Sequence, residues 1–156
     1  MCLRIPDKLL ELGKKDSLSK SYSGQALVLK ELGKLDDAMA LYKKGETLCS
    51  ELGDKDGLLR SYNNQALILR AWGQLEEAMA LHKKQEAICL ELGSRNGLQA
   101  CYGNQALILS NLGRLDEALA LYKKEEEICL ELGNKSGLGV CREYVSTSLA
   151  LRLEIH

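Results

Sequence analysis

A repeat of about 40 residues is the feature that most constrains the fold of this chain. Glycines recur at this spacing in two series, one of Gly13, Gly53, Gly93 and Gly133 and one of Gly33, Gly73 and Gly113. Residues 57–96 and 97–136 share 24 identical residues in 40 aligned positions. A period between about 20 and 50 residues predicts an array of stacked units rather than one closed globule.

The repeat predicts a single array over residues 1–156, with three complete units and a partial unit at each end. The expected complete units are residues 17–56, 57–96 and 97–136. Residues 1–16 are expected to be a partial repeat, the end of a second helix, and residues 137–156 a partial repeat with a terminal helix.

Each complete unit predicts two antiparallel helices. Between residues 57 and 92, apolar side chains recur at helical spacing on both sides of Gly73, and short loops favour antiparallel neighbours. We expect helices at about 7–12, 17–32, 35–52, 57–72, 75–92, 97–112, 115–132 and 137–152. Glycines of both series are expected to end helices. The residues expected to cap the first helices are Asp16, Asp56, Asn96 and Ser136.

Composition narrows the function classes. The chain has 21 Lys and Arg against 22 Asp and Glu, which argues against a nucleic-acid partner. No apolar run is long enough to span a membrane, and we expect no membrane partner. Five of the six cysteines recur at the repeat spacing, so they are interpreted as reduced, packed thiols. With no export signal in the sequence, the expected location is the cytoplasm.

The second unit carries a family pattern. Tyr62, Gln65, Ala66 and Leu69 stand at the spacing W-x2-L-G-x2-Y, and Ala78 begins the spacing A-x3-F. The chain therefore resembles tetratricopeptide repeats. Its unit of about 40 residues, longer than the family's usual 34, is similar to the longer-repeat branch of kinesin light chain and nephrocystin-type repeats. The resemblance implies an all-α, right-handed superhelical solenoid of antiparallel helix pairs.

The resemblance also implies a binding surface. In the family, first helices line a concave face that commonly binds extended peptides. The side chains predicted there share one face of the first helices and are polar or basic; they are Lys20, Lys30, Arg60, Asn63, Asn64, Arg70, Asn104, Ser110 and Asn111. Asn64 and Asn104 would bond a peptide backbone, since an amide both donates and accepts. The four basic residues favour an acidic or C-terminal peptide segment.

Other recurring residues favour structural roles. Gln25, Gln65 and Gln105 are expected to bond across repeats, because a buried amide without a partner is costly. Lysine pairs in the second helices, such as Lys83-Lys84, are expected on a solvated face with weak ion pairs to acidic residues three positions on. His82 is interpreted as a core substitution.

The leading hypothesis is a non-enzymatic protein-interaction scaffold. The sequence shows no catalytic constellation, no close Cys and His pairs for a metal, and no sign of a cofactor. Two alternatives stay open. In the first, the chain is a structural segment that forms a homo-oligomer through uncapped terminal helices. In the second, it is a regulatory sensor segment of a larger multidomain protein.

Overall fold

A computed structural model describes residues 4–155 of the chain. These residues contain seven α-helices and no strand. They divide into two compact units, and the boundary between the units follows Gly73. The first unit holds α1 (Ile5–Glu31), α2 (Leu35–Leu52) and α3 (Lys55–Ala71). The second holds α4 (Leu75–Leu92), α5 (Arg95–Asn111), α6 (Leu115–Leu132) and α7 (Lys135–Ile155).

Consecutive helices pack against each other inside each unit. In the first unit α2 contacts both α1 and α3, and in the second α5 contacts α4 and α6 while α6 also contacts α7. Within each unit the connections are only two or three residues long, so sequential helices of the same unit run antiparallel. The expected all-α architecture of helix pairs is confirmed.

The helices α2, α4 and α6 begin and end at the predicted residues. Each starts with acidic residues in its first turn, as Glu76 and Glu77 do in α4, where they complement the helix dipole. Each ends at a glycine in the left-handed conformation, such as Gly93 with φ of 64°. An L side chain would be strained at that φ, so the glycine series fixes these helix ends.

The N-caps of the first helices lie two residues earlier than predicted. Asp54, Ser94 and Asn134 accept hydrogen bonds from the backbone N–H three residues on, and Asp56, Asn96 and Ser136 lie inside the helices. Both positions carry cap-forming residue types, so composition does not discriminate between them. The discriminating feature is a glycine three residues after each cap, which packs closely on neighbouring side chains: Cys49 and Cys89, both buried, beside Gly57 and Gly97, and Gln99 beside Gly137. At Gly97, a Cβ would lie 2.5 Å from Cys89 Sγ.

The expected break at Gly13 is wrong, and so is the cap at Asp16, because α1 runs unbroken through both residues. Lys14 stands 40 positions before Asp54, and its side chain has only donors, so it cannot accept an orphan backbone N–H. Ser17 stands where Gly57 and its equivalents close the other corners. The two residue types that make a corner are both missing, and the helix continues.

The recurring glutamines bond between helices of neighbouring repeats where such a neighbour exists. Gln65 on α3 donates to Glu46 on α2 at 2.6 Å, and Gln105 on α5 donates to Glu86 on α4 at 2.8 Å. Both glutamines are 3% exposed. Gln25 is exposed and bonds Ser21 on its own helix, because no described helix precedes α1. The structural role is confirmed for Gln65 and Gln105.

Five cysteines are free and buried: Cys49, Cys89, Cys101, Cys129 and Cys141. Their packing confirms the interpretation as small apolar groups. His82 is fully buried, with Nδ1 2.7 Å from Gln85 Oε1, as expected for a core position. Cys2 and His156 lie outside the described residues.

Candidate functional site

The predicted binding residues of the first unit lie on α1 and α3, and several bond one another. Lys20 is exposed and bonds Asp16 at 2.7 Å, which raises the pKa of its ammonium group. Lys30 Nζ donates to Asn64 Oδ1 at 3.0 Å, and Asn64 Nδ2 donates to the carbonyl of Arg60 at 3.0 Å. The Asn64 amide therefore already uses one of its two N–H donors and one acceptor position of its oxygen within the unit.

The other predicted residues of the first unit are at least partly accessible. Arg60 is exposed, and Asn63 and Arg70 are half-buried. Arg60 and Arg70, together with Lys20 and Lys30, form a stripe of cationic groups along α1 and α3. This stripe can present positive charge to an anionic segment, although Asp16 offsets the charge of Lys20.

In the second unit, α5 carries three predicted residues that differ in accessibility. Asn104 is half-buried and Asn111 is exposed. The Ser110 hydroxyl is buried and lies beside Tyr122 of α6. The Ser110 side chain therefore faces the packed side of α5, so its hydroxyl is directed away from solvent.

A pocket of about 250 Å³ opens between α5, α6 and α7, and we call it the Glu125 pocket. Asn104 and Gly103 of α5 contribute to its wall. Its full lining is Ala100, Gly103, Asn104, Leu107, Tyr122, Glu125 and Tyr144. The structure thus brings the predicted Asn104 together with an acidic and two aromatic residues that the sequence analysis did not select.

Glu125 lies against Gly103 across the helix pair. A Cβ placed at Gly103 would lie 2.9 Å from Glu125 Oε1 and 3.0 Å from Oε2. The equivalent pair in the first unit has the sizes exchanged, with Gly45 on α2 opposite Ser23 on α1. The second repeat carries Asn63 and Gln85 at these positions, with no glycine, so the sequence pattern alone does not identify the pair.

The environment of Glu125 favours its neutral form. Burial raises the pKa of its carboxyl, while the neighbouring Cys141 and Gln99 side chains act in the opposite direction. Gln99 also accepts a bond from the cap residue Asn134 at 3.1 Å, so its amide is oriented. No ion pair among residues 4–155 involves Glu125.

Two tyrosine rings form the aromatic wall of the pocket. Tyr122 and Tyr144 are stacked, with ring centroids 5.5 Å apart and an interplanar angle of 4°. Tyr122 is buried, whereas Tyr144 is 41% exposed. Burial raises the pKa of Tyr122, so the ring stays a neutral phenol at physiological pH.

The lysine pairs on α2, α4 and α6 are exposed, as predicted. The acidic residues three positions on were expected to form ion pairs with these lysines. Their carboxylates instead accept hydrogen bonds from side chains of other helices. Glu86 accepts from Gln105, and Glu126 accepts from Arg142 Nε at 2.9 Å. Lys124 lies over the Tyr102 ring, 5.4 Å from its centroid, a cation–π geometry that orients the side chain along the surface.

Residues 4–155 contain no group of three His, Cys, Asp or Glu side chains placed to hold a metal ion. None of the helices in this range combines the length and the apolar character that a membrane crossing requires.

Comparison with protein families identifies the repeat. Two tetratricopeptide repeat models match the chain, one over residues 17–91 and the other over residues 100–134. A search of curated proteins found no match. The two matched segments cover more than half of the chain and coincide with the observed helix pairs. Such repeats generally serve as scaffolds for protein–protein interaction without catalysis. The chain belongs to the tetratricopeptide repeat family.

Proposed function

We propose that the chain is a non-enzymatic scaffold that binds an extended peptide segment of a protein partner along its first helices. The concave face expected of a right-handed array would present these helices, and the longer-repeat branch remains our interpretation of the unit length. The observation that carries the proposal is the Glu125 pocket, which opens beside Asn104 on a first helix. A cavity of this size suits one side chain better than a drug-sized molecule.

The predicted residues would make two kinds of contact, one with the backbone of the peptide and one with its acidic groups. Asn104 is half-buried, and no bond of its amide is seen within the described residues, so it can pair with a peptide backbone. Asn64 already bonds Lys30 and the Arg60 carbonyl, so it would pair with a peptide through its second N–H and the remaining lone pair of its oxygen. Arg60 and Arg70 would attract an acidic or C-terminal part of the peptide, since guanidinium groups bind carboxylates in a fork geometry.

The location proposed for this interaction is the cytoplasm. Five buried free thiols support a reducing compartment, where thiols persist. The proposed partner is a protein or peptide, and neither nucleic acid nor a membrane is part of the proposal.

Selection from a random peptide library tests the proposal. The unmodified chain should enrich a defined class of peptides, and Asn104→Ala should weaken their binding by about fivefold or more, the effect of one lost hydrogen bond. Asn96→Ala is the matched control, because Asn96 is an exposed asparagine in the first turn of the same helix. Unchanged helicity by circular dichroism shows that both variants fold.

Two results would contradict the proposal. If no peptide is enriched, the first helices do not bind extended segments. If peptides bind and both variants bind them equally well, the peptide lies elsewhere on the chain.

The second candidate function is homo-oligomerisation through the terminal helices. Exposed apolar side chains on α1 and α7 favour it; the most exposed are Ile5, Leu9 and Leu10 on α1 and Leu153 on α7. Sedimentation equilibrium tests this candidate. A mass that rises with concentration in the unmodified chain and not in Leu153→Ser would support it, and a constant monomer mass would refute it.

A further inference from the structure

We propose that the Glu125 pocket binds an arginine side chain of the partner peptide, with Glu125 as its anionic partner. The inference rests on the proposed function and adds a specificity to it. The cationic stripe of the first unit favours an acidic segment, so the complete ligand would carry acidic residues together with an arginine.

The first argument is the missing counter-charge. Removing a carboxylate from water is costly unless a cation compensates it. None of the residues lining the pocket is basic. Arg142 on α7 is the nearest arginine in sequence to Tyr144, and its guanidinium is held by Glu126. The raised pKa of Glu125 indicates that the neighbouring Cys141 and Gln99 side chains compensate the burial of its carboxyl only in part.

The second argument is the aromatic wall. The partly exposed ring of Tyr144 is stacked on the buried ring of Tyr122, and both rings line the pocket. A planar guanidinium can stack on such a ring, because the cation is attracted to the electron-rich face of the ring. The same group can direct its N–H donors to a carboxylate, which explains why arginine fits better than lysine. The Asn104 side-chain carbonyl can accept one further N–H.

The third argument is the size of the pocket. Gly103 has no side chain, which lets the Glu125 carboxylate lie against α5 at the pocket wall. The pocket volume of about 250 Å³ is below the usual range for small-molecule sites, as expected for a single side chain.

Glu125 is also the only acidic residue at its repeat position. Gly45 and Gln85 stand at the equivalent positions on α2 and α4. The arginine specificity would therefore belong to this repeat alone. Glutamine keeps the shape of the glutamate side chain, and Gln85 already stands at the equivalent position on α4. The variant Glu125→Gln is therefore expected to fold.

The test uses synthetic peptides selected from the random library by the unmodified chain. Each peptide with a recurring arginine is made in three forms, with arginine, lysine or citrulline, the last of which keeps the shape of arginine and lacks its charge. We expect citrulline to weaken binding to the unmodified chain by about tenfold or more, since charge-assisted hydrogen bonds are the strong ones. Lysine should give an intermediate loss.

The same peptides are then measured against two charge variants. Glu125→Gln should lose most of the preference for the arginine form over the citrulline form, since only the attraction of the guanidinium to the Tyr144 ring would remain. Glu127→Gln removes an exposed carboxylate from the same helix and should keep the full preference for arginine. The coupling between peptide charge and Glu125 distinguishes a direct contact from a general effect of net charge.

The failures are distinguishable. If peptides are selected without a recurring arginine, or if citrulline binds the unmodified chain as well as arginine, the arginine inference is refuted and the peptide scaffold stands. If the full arginine preference persists in Glu125→Gln, the inference is equally refuted, because the arginine binds elsewhere. If no peptide is selected, the proposed function fails and the inference fails with it.

Discussion

The corner between α4 and α5 permits a quantitative prediction, in the substitution Gly97→Ala. The new methyl group would lie 2.5 Å from Cys89 Sγ and 2.9 Å from Ser94 Oγ. Optimal carbon contacts are about 3.5–4.0 Å, so the corner must open. Overpacking of this kind costs about 1–3 kcal/mol, and the better helix propensity of alanine returns up to about 1 kcal/mol. We expect a net loss of about 1–2 kcal/mol in the free energy of unfolding.

The assay is urea unfolding followed by circular dichroism in a double-mutant cycle. Cys89→Ala removes the sulfur, so Gly97→Ala should cost clearly less in that background than in the unmodified chain. Gly139→Ala is the control, because Gly139 is helical and a Cβ there would meet no atom within 4 Å. That control should stabilise the chain by up to about 1 kcal/mol. An equal cost of Gly97→Ala in both backgrounds would refute the proposed contact with Cys89.

Four further predictions concern single features of the fold. Asp54→Ala removes the α3 cap and should cost about 1 kcal/mol by urea unfolding, whereas an unchanged midpoint would show that the bond to Gly57 contributes nothing. Burial raises the pKa of Cys141 to about 12, so the folded chain disfavours the thiolate and stability falls as the pH rises above 9; Cys141→Ser should remove about 1 kcal/mol of that fall by pH 10, measured as unfolding against pH. The raised pKa of Glu125 means that stability is lost as the pH rises through it, so Glu125→Gln should raise the melting temperature at pH 7 and leave it nearly unchanged at pH 3. Lys14→Asp with Ser17→Gly restores the missing corner residues and should reduce amide protection around residues 13–16 in hydrogen exchange, and full protection there would contradict our explanation of the long α1.

The sequence predicts the helix pairs well because the decisive signals are local. Gly93 and its equivalents end the second helices through their own backbone conformation, and the acidic first turns start them. The predicted caps lie two residues too far along the chain because Asp54 and Asp56 are equally good capping types. Only the packing of Gly57 on its neighbours distinguishes them, and that packing is tertiary.

The candidate site is less accessible to sequence reasoning. Helical geometry places Asn104 on the accessible face of α5, but it does not show that Asn64 is occupied by Lys30 or that the Ser110 hydroxyl is buried. Glu125 and Tyr144 were missed because they come from two different helices and meet α5 only in the folded unit.

The most direct test of the central claim is a map of peptide contacts in solution. The chain labelled with ¹⁵N is titrated with a selected peptide, and backbone amide shifts are followed by NMR. We predict that the largest changes in α4–α7 occur around the Glu125 pocket, at Asn104, Leu107 and Tyr144. Changes confined to the lysine pairs of the second helices, such as Lys123-Lys124, would contradict the account.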